Sequence, residues 1–197
     1  GAGLNETQAQ LLPLGKFWRA LYYHPREDIR TEHLWEALET LDSIPGLPVS
    51  AQDKNELTEQ LAKKVFRGEL QEADAIDRAI RYTEKYGLSI RKNQNLGIAH
   101  FHLADKRDFW KNKLSSMAFF LDYLRDIRNR NPEKLAAEKN TILPSISSIF
   151  QFALASENLP TGWQNLTFPD LEALIDEDPS EALPARTAQL RSHAAGL

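Results

Sequence analysis

Cysteine is absent from the 197 residues. That excludes disulfide staples, thiol nucleophiles and Cys-ligated zinc. Long apolar runs are absent too: no stretch approaches the roughly 20 residues that a membrane-spanning helix needs. No basic-then-apolar leader pattern opens the chain. A cytoplasmic protein with no membrane partner is therefore expected. Glycine and proline number only 9 and 10, too few for a collagenous or low-complexity chain. The net charge of −4 is small, so the molecule as a whole does not act as a polyanion sponge. The sequence contains no glycine-rich phosphate loop, no G-x-S-x-G, no H-E-x-x-H and no calcium-binding EF-hand loop. No metal site and no cofactor are expected.

What is present is ordinary globular material, 42% hydrophobic and 26% charged. Its apolar spacing is helical nearly throughout, and no segment alternates with period two. Leu14, Phe17, Trp18, Leu21 and Tyr22 form one stripe, with Pro13 in its first turn and Pro25 at its end. Thr31 is placed to cap a second helix carrying Leu34, Trp35, Leu38 and Leu41. Residues 43–50 contain two prolines and a glycine and read as a loop. Asp53 and Glu56 have the spacing of a capping box, and Leu57, Leu61 and Val65 follow until Gly68 stops the helix. A further helix is predicted from Gln71 to Tyr86, with Ala73, Ile76 and Ile80 inward and Gly87 as its cap.

A short segment starting at Ser89 or Asn93 then carries Ile98, Ala99 and Phe101. The longest helix is predicted from Asp105 to Arg128, with Leu114, Met117, Leu121 and Leu124 as its inner stripe. Pro132 interrupts the chain, a helix follows Pro144, and a short one follows Pro169. Together these features predict an all-α bundle of about six to eight helices with antiparallel neighbours. Trp18, Leu38, Leu61, Ile80, Leu121 and Leu124 are its expected core. Residues 1–156 are assigned to the bundle. Residues 157–197 are assigned to an acidic C-terminal extension that Trp163 could dock.

The charge is unevenly spread. Residues 88–130 hold nine Lys and Arg against four acids, whereas residues 157–197 hold two Arg against seven acids. Such runs are most simply solvated faces, and the sharper reading is a basic functional surface followed by an acidic tail. His100 and His102 form an H-x-H pair. On a helix, two residues apart means about 200° apart, which argues against a shared metal. Trp18 and Trp35 sit on apolar stripes and read as core rather than as base-stacking platforms.

The segment Gln94-Asn95-Leu96-Gly97-Ile98-Ala99-His100 resembles the signature of the HEPN superfamily, in particular its abortive-infection-like members, often written R-N-x-x-x-A-H. Asn95, Ala99 and His100 match without a gap. Gln94 stands where the family has Arg, and Arg91 lies one turn earlier. The resemblance spans roughly residues 14–128. It implies a metal-independent endoribonuclease chemistry, in which a His moves the proton of the ribose 2′-OH or of the leaving 5′-oxygen. The Arg would clamp the phosphate with its planar donor fork. Two protomers usually build one composite cleft, which implies a homodimer. Carried onto this sequence, His100, Arg91 and Asn95 are the catalytic candidates, and Lys92, Lys106, Arg107 and Lys111 the RNA-contacting ones. Gln94 brings hydrogen bonds but no charge, and many members of the family are non-catalytic binding or dimerisation modules. The expectation is a HEPN-like protein that binds RNA or a nucleotide with little or no catalysis. The competing expectation is a non-enzymatic all-α module for a protein partner: an adaptor, an immunity protein or a complex subunit.

Overall fold

The computed structural model describes residues 29–155 apart from residue 89, together with the backbone of residue 15. The expected N-terminal helix around Trp18, the short helix after Pro169, Trp163 and the whole extension 157–197 lie outside the described residues.

Among the described residues there are six α-helices and no strand, as the helical spacing requires. They are α1 (Thr31–Ser43), α2 (Ala51–Phe66), α3 (Ala73–Tyr86), α4 (Arg91–Ala104), α5 (Phe109–Arg130) and α6 (Leu135–Ala155), with a 3₁₀ turn at Pro132–Lys134 between the last two. No described helix is long and apolar enough to cross a membrane. The chain divides into two compact units, residues 1–95 and 96–197. The division falls inside α4.

In the first unit α2 packs against both α1 and α3. Leu34 and Leu38 of α1, Leu57, Leu61 and Val65 of α2, and Ile76 and Ile80 of α3 are buried. The cap of α2 lies three residues before the expected one. Ser50 Oγ accepts the Asp53 N–H at 3.1 Å and donates to the Asp53 carboxylate at 2.6 Å. A Ser-x-x-Asp box therefore satisfies two groups at once, and Asp53 is its third helical residue rather than its cap. Thr31 is likewise the first residue of α1, with Arg30 at the cap. Gly68 ends α2 with φ +71°, a conformation that costs glycine nothing.

Across α1 and α3, the Arg78 guanidinium lies 4.6 Å from the Trp35 ring and pairs with Glu39. Tyr82 and Tyr86 stack one turn apart with planes 12° apart. Lys85 pairs with Asp42, which also accepts from the Tyr86 hydroxyl at 2.7 Å. This face is built of aromatic rings and paired charges, and Trp35 is only half-buried on it.

In the second unit α5 packs along α6 and the 3₁₀ turn. Met117, Leu121 and Leu124 of α5 and Ile142, Ile146 and Ile149 of α6 are buried. Three boundaries differ from those read off the sequence. The segment around Ile98 is a full helix of 14 residues rather than a short one. Asp105 does not open the long helix. It lies in a turn whose last residue, Asp108, takes the left-handed conformation at φ 47°, one that Asp tolerates better than most residues. The last helix begins nine residues before Pro144 and runs through it. Proline removes one backbone donor, which frees the carbonyl of Asn140. Pro144 and Asn140 are both exposed, so water can take up the lost bond.

Candidate functional site

The second half of α4, the turn 105–108 and the first two turns of α5 form a helix–turn–helix within the second unit. Close packing at its base comes from Gly97. A Cβ built there would lie 2.5 Å from the Phe120 ring, and the Gly97 carbonyl accepts from Ser116 Oγ at 2.7 Å. Glycine thus lets α4 sit directly on α5, one turn below His100. The turn is closed by the Lys106 and Arg107 amides, both donating to the Leu103 carbonyl at 2.9 Å.

His100 is half-buried. Its ring stacks on Phe119 at 5.5 Å between centroids, with planes 16° apart. Its Nδ1 lies 2.8 Å from Asn112 Oδ1, and Asn112 Nδ2 donates to the Arg107 carbonyl at 2.7 Å. Asn112 is itself buried, at 5% exposure. One hydrogen-bond chain therefore runs from the turn through Asn112 to His100.

A second cluster centres on Lys113, whose side chain is 1% exposed. Its ammonium lies 3.3 Å from Asp105 Oδ1 and donates to the Phe101 carbonyl at 3.3 Å. It sits 3.6 Å from the Phe101 ring centroid and 5.3 Å from that of Phe109. A carboxylate, a carbonyl and two ring faces together offset the loss of water around the cation. Burial nevertheless pushes the lysine below its ordinary range, with Asp105 opposing the shift.

His102 adjoins this cluster. Burial lowers it below the usual histidine range, Asp105 opposes that, and the Lys113 charge adds to it. In the folded chain the neutral ring is thus favoured, and the unfolded chain binds the proton first as pH falls below 6.5. The contribution of His102 to stability is full above that value and is lost as pH drops through it towards the lower folded value. His102→Gln cannot titrate. Thermal unfolding on either side of that pH should therefore show the unmodified protein losing more stability in acid than the variant. Equal losses would mean that the ring is not desolvated.

The other candidates are distributed as follows. Lys106, Arg107 and Lys111 are exposed on the turn and on the first turn of α5. Arg91 is exposed at the start of α4, while Gln94 and Asn95 are half-buried. The Lys92 ammonium donates to the Glu84 carbonyl at 2.7 Å, at the end of α3. Arg91, Gln94 and Asn95 belong to the first unit and His100 to the second. His100 and His102, two residues apart on α4, point about 200° apart, and no group of three potential metal ligands occurs among the described residues.

Asn112 and Lys113 were not singled out from the sequence. A signal existed: Lys113, Met117, Leu121 and Leu124 share one helical stripe, so a lysine occupies an inward position. Asn112 and Ser116 stand one turn apart in the same way. Polar residues on a buried stripe are the residues to question first. No family model, curated protein or solved structure matches this chain.

Proposed function

We propose that this chain is a HEPN-like helical protein that binds single-stranded RNA through the basic turn beside His100, with cleavage weak or lost because Gln94 replaces the motif's Arg. The observation that carries the reading is the hydrogen-bond chain from the Arg107 carbonyl through Asn112 to His100. It ties the motif histidine to a turn bearing the exposed cations Lys106, Arg107 and Lys111. Exposed cations supply phosphate contacts, and a fixed imidazole next to them supplies a proton-transfer group. A cytoplasmic location and a homodimer accompany this reading.

A second reading, a non-enzymatic interaction module, is favoured by the half-buried Trp35, Arg78 and Tyr86 on α1 and α3. Trp, Tyr and Arg are the residue types enriched at protein interfaces.

One titration separates the two. A single-stranded oligoribonucleotide is titrated against the full chain at increasing salt. Three phosphate contacts give a logarithmic salt slope of about −2. The Lys106→Ala, Arg107→Ala double variant, with one contact left, should flatten that slope to about −0.7. A salt-independent signal, or none, removes the RNA reading and leaves the interaction module.

A further inference from the structure

We infer that Asn112 is a positioning residue for His100: it fixes the imidazole proton on Nδ1, so that Nε2 is the nitrogen offered to bound RNA. The final clause rests on the proposed RNA reading, and the assignment of the tautomer does not.

The Arg107 carbonyl has no hydrogen to give, so the end of the Asn112 amide that faces it at 2.7 Å must be the NH₂. The amide cannot be flipped without setting two acceptors against each other. Its oxygen is therefore the atom 2.8 Å from His100 Nδ1. An amide oxygen only accepts, so Nδ1 must carry a proton. In the neutral ring that leaves the lone pair on Nε2. The arrangement is shielded, since Asn112 is 5% exposed and water competes poorly for its two bonds. Stacking on Phe119 holds the ring plane. A histidine fixed in one tautomer by a buried acceptor does not have to reorganise before it takes or gives a proton.

The geometry also links the two halves of the proposed site. Asn112 is oriented by a carbonyl of the turn that bears Lys106 and Arg107, and the backbone amides of that turn donate two hydrogen bonds to the Leu103 carbonyl. A phosphate held by those side chains would act on the backbone that orients Asn112, and through it on His100.

The test uses the full chain labelled with ¹⁵N in histidine, read by long-range proton–nitrogen correlation where His100 is neutral. The expected spectrum shows Nδ1 protonated and Nε2 bare. Asn112→Ala should lose this preference. A proton on Nε2 in the unmodified protein overturns the proposal, and so does an unchanged tautomer ratio in Asn112→Ala. If that variant fails to fold, the tautomer of the unmodified protein decides alone, and a proton on Nε2 there is the overturning result.

Addition of a single-stranded oligoribonucleotide is the second arm. The expected result is a shift of the Nε2 resonance with Nδ1 still protonated, and a weaker response in Asn112→Ala. If the tautomer is as inferred but RNA leaves both nitrogens unmoved, the RNA reading falls and the tautomer assignment stands.

Discussion

Gly97→Ala should destabilise the second unit by about 1–3 kcal/mol, against the direction that helix propensity alone would give. In an unconstrained helix interior, replacing glycine by alanine gains roughly 1 kcal/mol. At Gly97 the added methyl would lie 2.5 Å from the ring of Phe120, which is itself 2% exposed. A buried ring cannot withdraw as the end of a lysine can, and overpacking of this kind costs about 1–3 kcal/mol. The helices would have to part, which would also stretch the Ser116–Gly97 bond. Chemical denaturation measures the loss. Gly97→Val should lose more, and Gly97→Ala should lose less in a Phe120→Leu background, because the two sites share one contact. An alanine variant as stable as the parent would show that α4 and α5 do not approach so closely.

That contact illustrates what was legible beforehand. The class of fold follows from periodicity, and the stripes of α2, α3 and α5 led to residues that are buried, among them Leu61, Ile80 and Leu124. The boundaries were less legible because competing signals sit close together. Ser50 and Asp53 are both good capping residues, and only the reciprocal bond decides between them. Pro144 reads as a helix start, whereas an exposed position allows the helix to pass through it. At the candidate site, His100 stood out through its motif. Asn112 is twelve residues away and belongs to no pattern, since its role depends on how a turn folds back. The division of the chain between Asn95 and Leu96 has no mark in the sequence, because α4 is a regular helix across it.

On the proposed reading, the unmodified chain should cleave RNA at a rate near background, and Gln94→Arg should raise it by a hundredfold to a thousandfold. The physical reason is charge. Phosphate oxygens gain negative charge in the transition state, and removing one preorganised electrostatic partner typically costs roughly 3–4 kcal/mol. Gln94 can donate hydrogen bonds but brings no positive charge. The gain in Gln94→Arg should disappear when His100→Ala is added, because the proton-transfer group is then gone. The assay is cleavage of an end-labelled single strand in a chelating buffer. Robust cleavage by the unmodified chain that survives His100→Ala would place any chemistry elsewhere. A Gln94→Arg variant that binds RNA but gains nothing would leave a binding protein without a catalytic ancestry in this motif.

The burial of Lys113 gives the turn a built-in clock. Amine-directed acylating reagents need a water-exposed neutral amine, and in the folded chain the Lys113 nitrogen is covered by Phe101 and Phe109. The neighbouring Lys106 and Lys111 are open to solvent. In a time course read by mass spectrometry, the two exposed lysines should therefore react at the pace of free amines. Lys113 should react only as often as the helix–turn–helix opens, so its rate reports the opening of the segment that carries His100.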